Sequence, residues 1–165
     1  MPIAAAIAVL RAGMILIVAT LFAATLLGPA SGPAHGATPA EEVVDLYERF
    51  VAAQNRRDIP AVRDLLLPDQ RFLWVSDGKA FWGPDSMVER MSRFQAAEVW
   101  RVEPDRERRR FVAISGDSGY LYQPLTLRIG AAASADAIAF LVSVLCIRTP
   151  DGWRIAALLT TVENP

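Results

Sequence analysis

The sequence predicts one α+β domain, an antiparallel sheet of about six strands with helices on one face. Three observations carry that reading. Residues 41–57 space their apolar side chains as a helix does. Asp77-Gly78 sits between two short aromatic and apolar runs, the signature of a hairpin. From residue 99 onward the chain falls into four runs rich in β-branched and aromatic residues. A chain of 165 residues suits one ordinary domain and is short for two.

Ahead of the domain, residues 12–27 form an uncharged apolar stretch that follows Arg11 and precedes GPASGPAHGATPA. A positive end, an apolar core and a small-residue break are the order of a secretory signal. Ala34-His35-Gly36 before Ala37 offers small residues at the positions a signal peptidase reads. Residues 1–36 are therefore expected to be a signal peptide and processing tail, residues 37–42 a flexible lead-in, and residues 43–164 the domain. The expected location is periplasmic or secreted. The alternative is an uncleaved anchor, since residues 3–27 are apolar apart from Arg11 and long enough to span.

The elements follow in order. In EEVVDLYERFVAAQNRR, Val43, Tyr47, Phe50 and Val51 lie at helical spacing, with acids at the front and arginines at the back. Asp58 can cap a second helix with Pro60 in its first turn, which should run on to Pro68. The hairpin around Asp77-Gly78 comes next. Gly83-Pro84-Asp85 then opens a third helix with Met87, Val88, Met91 and Phe94 on one stripe. The last four runs begin near Val99, Gly119, Ala137 and Trp153, with Gly116-Asp117 and Pro150-Asp151-Gly152 as turns.

Charge and composition exclude several functions. Beyond the leader, whose only charge is Arg11, 16 basic residues face 18 acidic ones. So near-neutral a domain is a poor match for nucleic acid. The run Arg106, Arg108, Arg109, Arg110 is short and contains Asp105 and Glu107 at its front, which fits a solvated turn or strand edge. His35 is the single histidine and lies before the domain, so Ser-His and Cys-His nucleophile systems are excluded. Cys146 is the single cysteine, which excludes an internal disulfide and the usual zinc sites. It reads as a small buried hydrophobe. No cofactor or metal is expected.

The run YERFVAAQNRRDIPAVRDLLLPD, the hairpin after it, GPDSM at a helix start and the terminal TPDGWRIAALLTT resemble the SnoaL-like, nuclear-transport-factor-2-like superfamily over residues 41–164. The resemblance implies a strongly curved antiparallel sheet wrapped on three helices, a cone with a pocket inside, and a homodimer through the outer face of the sheet. Laid against the ketosteroid isomerases of that superfamily, the tyrosine donor position falls on Phe50. The general-base position falls on Trp74, and the protonated aspartic acid position falls near Leu145. None of the three can move a proton at neutral pH.

The resemblance also turns the strand face of Tyr120, Tyr122, Pro124, Thr126 and Arg128 inward, with Arg128 as an anchor for an acidic head group or a charge at the rim. Ser143, Leu145 and Ile147 form one face of the next strand, and Val142, Val144 and Cys146 the other. Both are apolar, so one burial would be the pocket and the other a dimer partner. The pocket candidates are Tyr47, Phe50, Trp74, Trp82, Tyr120, Tyr122, Thr126, Arg128, Ser143, Leu145 and Thr160; the aromatics among them would serve equally as core. The expected function is a non-catalytic domain that binds a small apolar ligand or acts as a dimeric interaction module. The alternative is an isomerase, dehydratase or cyclase, for which Glu163, Asp85 and Tyr47 are the candidate groups.

Overall fold

The computed structural model describes residues 36–164. The expected leader lies outside the described residues, apart from Gly36. Helix α1, Pro39–Asn55, begins earlier than expected, inside the supposed flexible lead-in at 37–42. A capping box explains the difference. Thr38 Oγ1 accepts from the Glu41 N–H at 3.3 Å, and the Glu41 carboxylate accepts from the Thr38 N–H at 2.7 Å. The stripe of Val43, Leu46, Tyr47 and Phe50 is buried against the sheet.

Asp58 caps α2, Ile59–Asp64, by accepting from the Ala61 N–H at 3.1 Å. The helix stops short of the expected Pro68. The Leu65 carbonyl accepts from the Ile155 N–H at 2.9 Å and the Leu67 N–H donates to the Ile155 carbonyl at 2.7 Å. Sheet bonding thus takes the three leucines away from the helix. Strands β1, Leu73–Ser76, and β2, Lys79–Trp82, form the predicted hairpin. Asp77 and Gly78 both have positive φ, 52° and 68°, as a two-residue mirror-image turn requires. Gly83, at φ 76°, leads into α3, Pro84–Phe94, which buries Met87 and Met91.

Six strands follow: β3, Val99–Pro104; β4, Arg110–Ser115; β5, Ser118–Tyr122; β6, Leu125–Gly130; β7, Asp136–Thr149; and β8, Gly152–Val162. The count is eight rather than about six because two of the four predicted runs break. At the first break Asp105 Oδ1 accepts from the N–H groups of Glu107 and Arg108 at 3.1 and 3.2 Å and turns the chain. At the second, Gln123 and Pro124 are fully buried between β5 and β6. Pro124 has no N–H to continue a ladder.

The sheet runs β2-β1-β8-β7-β5-β4, with β6 also on β7 and β3 on β6. Strand β7 is its spine. Its first part pairs with β6 and its second with β5, while β8 runs along its other side. Every pair is antiparallel except β1 with β8, which is parallel. No tight turn links those two strands, so turn geometry does not dictate their direction. A bulge bends β8. Leu145 faces Ala157 and Cys146 faces Ile155, which leaves Ala156 unopposed. Ile155 and Leu158 are consequently both buried on the helix side. The core lies between the three helices and that face. Among the described residues no helix is long and apolar enough to cross a membrane.

Candidate ligand-binding site

A cavity of about 230 Å³ opens between the helices and the inner face of the sheet. Helix α1 contributes Tyr47, Phe50 and Gln54; α3 contributes Met87, Met91 and Phe94. The hairpin gives Trp74, Ser76 and Asp77. The remaining wall is Trp100, Val102, Leu125, Leu127, Ile129, Ile138, Phe140, Val142, Leu158 and Thr160 from β3, β6, β7 and β8.

Four of the eleven residues expected at the pocket line it: Tyr47, Phe50, Trp74 and Thr160. The other seven face elsewhere, and this corrects the inward assignment. On β5 the buried residues are Gly119 and Leu121, while Tyr120 is 36% exposed and Tyr122 half-buried. On β6 the lining residues are Leu125, Leu127 and Ile129, so Thr126 and Arg128 point outward. Arg128 Nε donates to Glu103 on the outer surface at 3.1 Å. On β7 the inward set is Ile138, Phe140, Val142, Val144 and Cys146. Leu145, 36% exposed, and Ser143 belong to the outer face. Trp82 is 56% exposed on the face of β2 opposite Phe81. On β2, β5, β6 and β7 the side chains alternate as expected but in the opposite phase, and a one-residue slip sends every side chain to the other face.

Sequence reasoning missed the inner face of β6 and the start of β7. The alternation Leu125, Leu127, Ile129 carries that signal, on the face of the strand opposite Thr126 and Arg128. It also missed Gln54. The Gln54 carbonyl accepts from Gln95 Nε2 at 3.2 Å, a bond across forty-one positions that no local pattern reveals.

Among the described residues Tyr47 is the one buried ionisable group at the cavity, and desolvation drives its hydroxyl pKa well above the ordinary tyrosine value. Thr160 Oγ1 donates to the Val75 carbonyl at 2.8 Å. Asp77 stands at the lip, 59% exposed in its side chain, and accepts from Arg90 Nη2 at 2.5 Å. Of the other acids considered, Asp85 pairs with Arg63 at 2.7 Å and Glu163 with Arg108 at 2.6 Å; neither lines the cavity. Each arginine holds its partner's carboxyl below the usual range. Among the described residues no group of three or more His, Cys, Asp or Glu side chains gathers as a metal site.

Three helices on a curved, mostly antiparallel sheet with a cavity between them define the nuclear-transport-factor-2-like fold. Known structures share it. A protein of the nuclear-transport-factor-2-like family from Streptomyces avermitilis superposes with a TM-score of 0.67 at 16% identity, over 76% of this chain and 96% of that one. A ketosteroid isomerase-like protein from Erwinia carotovora atroseptica gives 0.61 at 21% identity, over 75% and 95%. A hexachlorocyclohexane dehydrochlorinase from Novosphingobium barchaimii gives 0.64 at 13% identity, over 74% and 85%. Residues 43–158 match the SnoaL-like domain, and the chain belongs to that family. No curated protein matches it.

Proposed function

We propose that this domain binds a small apolar molecule in the cavity and does no chemistry on it. The observation that carries this reading is the lining. Apolar side chains make up most of it, and among the described residues no carboxylate is shielded within it. The superposed proteins include an isomerase-like protein and a dehydrochlorinase, but here the expected donor and base positions hold Phe50 and Trp74, which form wall. The volume lies below the roughly 300–1,000 Å³ of sites for drug-sized ligands, so the ligand is smaller than those.

The test is a thermal shift and native mass spectrum of the purified protein with 1-octanol. Binding raises the melting temperature in a concentration-dependent way. Ile138→Trp, which fills the cavity, abolishes the shift and leaves the fold intact. An unmoved melting temperature and no adduct would sink the reading.

The protein is further proposed to be an exported homodimer. Residues 12–27 support export. The outer face of the sheet supports the dimer: Val112, Tyr120 and Leu145 lie side by side across three strands, with Leu159 diagonal to Leu145 on β8, opposite Ser143. An apolar sheet face of this kind is what a second copy would cover.

A further inference from the structure

We propose that the cavity's ligand is an apolar carboxylate, and that Arg90 is its anchor. This rests on the binding reading above and narrows it to one ligand class. Arg90 belongs to α3 and stands beside the lip of the cavity. Its guanidinium carbon lies 4.7 Å from the ring centres of Phe81 and Phe94 and 5.7 Å from that of Trp74. Trp74 and Phe94 are also cavity wall. Three aromatic faces therefore fix the guanidinium in place with its side chain only 22% exposed.

The fixed cation is underused. An arginine has five N–H donors in a planar fork that matches a carboxylate in two places. Among the described residues Arg90 makes one hydrogen bond, from Nη2 to Asp77. Its Nε is buried and has no acceptor. Asp77 is itself part of the cavity lip, carried on a two-residue turn and largely open to water. A carboxylate from the chain thus already occupies the place a ligand head group would take, and it can leave for solvent at little cost.

The far side of Phe94 also fits. There a second depression, which Phe94 also borders, is lined by Arg90, Arg93 and Ser86. Among the described residues the one acid lining it, Glu89, is engaged by Arg93 at 2.7 Å. An apolar body in the cavity with its head group toward this opening meets Arg90 between the two. Binding exchanges one carboxylate for another on the same guanidinium, with no covalent step and no proton transfer.

The test is calorimetric titration of the purified protein with octanoate, 1-octanol and octylamine. Octanoate should bind about tenfold or more tightly than octanol, the usual scale of a charge-assisted hydrogen bond. Asp77→Asn removes the internal competitor, so octanoate binding should strengthen several-fold while octanol binding stays the same. Arg90→Gln should bring octanoate down to the level of octanol, with folding checked by circular dichroism. Octanol binding as well as octanoate in both the parent protein and Asp77→Asn would overturn the anchor and leave the apolar cavity standing. Preference for octylamine would overturn it too, making Asp77 the recognition group. Failure of all three probes would overturn the cavity reading and this inference together.

Discussion

Cys146 lies on β7 with no exposed surface, and burial pushes its thiol up to about 12. A thiol so placed stays protonated and is no nucleophile at neutral pH. The folded protein should therefore leave Ellman's reagent unreacted at pH 8, and the denatured protein should release one equivalent. Fast labelling of the native state would contradict the burial. Glu48 behaves in the opposite sense. It accepts from Arg106 at 2.7 and 2.9 Å and from Arg109 at 2.5 Å, and these bonds, Arg106's first, hold its carboxyl below the ordinary value of 4.5. Glu42, bonded by Trp153 Nε1 at 2.9 Å and by Arg148, is lowered likewise. Because the folded values lie below the unfolded ones, this stabilisation is complete above about pH 5. It fades as pH falls through the lowered folded values. The urea midpoint should hold steady from pH 7 to 5 and drop below that, and Glu48→Gln should drop less steeply. A midpoint unmoved at pH 3.5 would refute the linkage.

Local rules hold best within single elements, where the interacting groups are close in sequence. Asp58 was legible as a cap because the Asp and the N–H it accepts from are three residues apart. Asp58→Ala should cost about 1 kcal/mol in chemical denaturation. Two glycines separate backbone strain from crowding. Gly78 has φ +68° and open space around it, so Gly78→Ala should cost only the left-handed penalty of about 1–2 kcal/mol. At Gly119 an added Cβ would sit 2.6 Å from the Phe111 ring and 3.2 Å from the Val112 carbonyl. Gly119→Ala must move Phe111 across the β4–β5 pair, and should cost about 1–3 kcal/mol as overpacking. Equal and negligible effects at both positions would count against the hairpin geometry. Where partners are distant, sequence reasoning went astray: α2 ends early because Ile155 claims Leu65 and Leu67 from some ninety positions away.

At the scale of the whole molecule, the sheet divides apolar surface between two faces. The inner face meets the helices and encloses the cavity; the outer face leaves Val112, Tyr120, Leu145 and Leu159 exposed. If a second copy covers the outer face, Leu145→Lys should convert the dimer to a monomer in sedimentation while leaving octanol binding unchanged. A parent protein that sediments as a monomer at high concentration would refute the dimer. The two faces also explain which part of the site could be read beforehand. Tyr47 and Phe50 were legible because the α1 stripe has one apolar side to choose, whereas the hairpin is apolar on both sides and places Trp74 in the wall but Trp82 outside it. Ser143 and Leu145 were misplaced because β7 is apolar on both sides, so alternation alone offered two phases of equal merit.

What the sequence by itself determined is therefore local and compositional. It set three helices, the Asp58 cap of the second, a hairpin fixed by Asp77-Gly78, strands in the second half, and a domain without histidine. Tertiary structure alone decided the phase of β5, β6 and β7, the extra residue at Ala156 that bends β8, and the meeting of Arg90 with Trp74, Phe81 and Asp77. The physical reason is range. Caps and turns are settled by groups a few bonds apart, whereas the choice between two apolar faces of a strand depends on which one the helices bury.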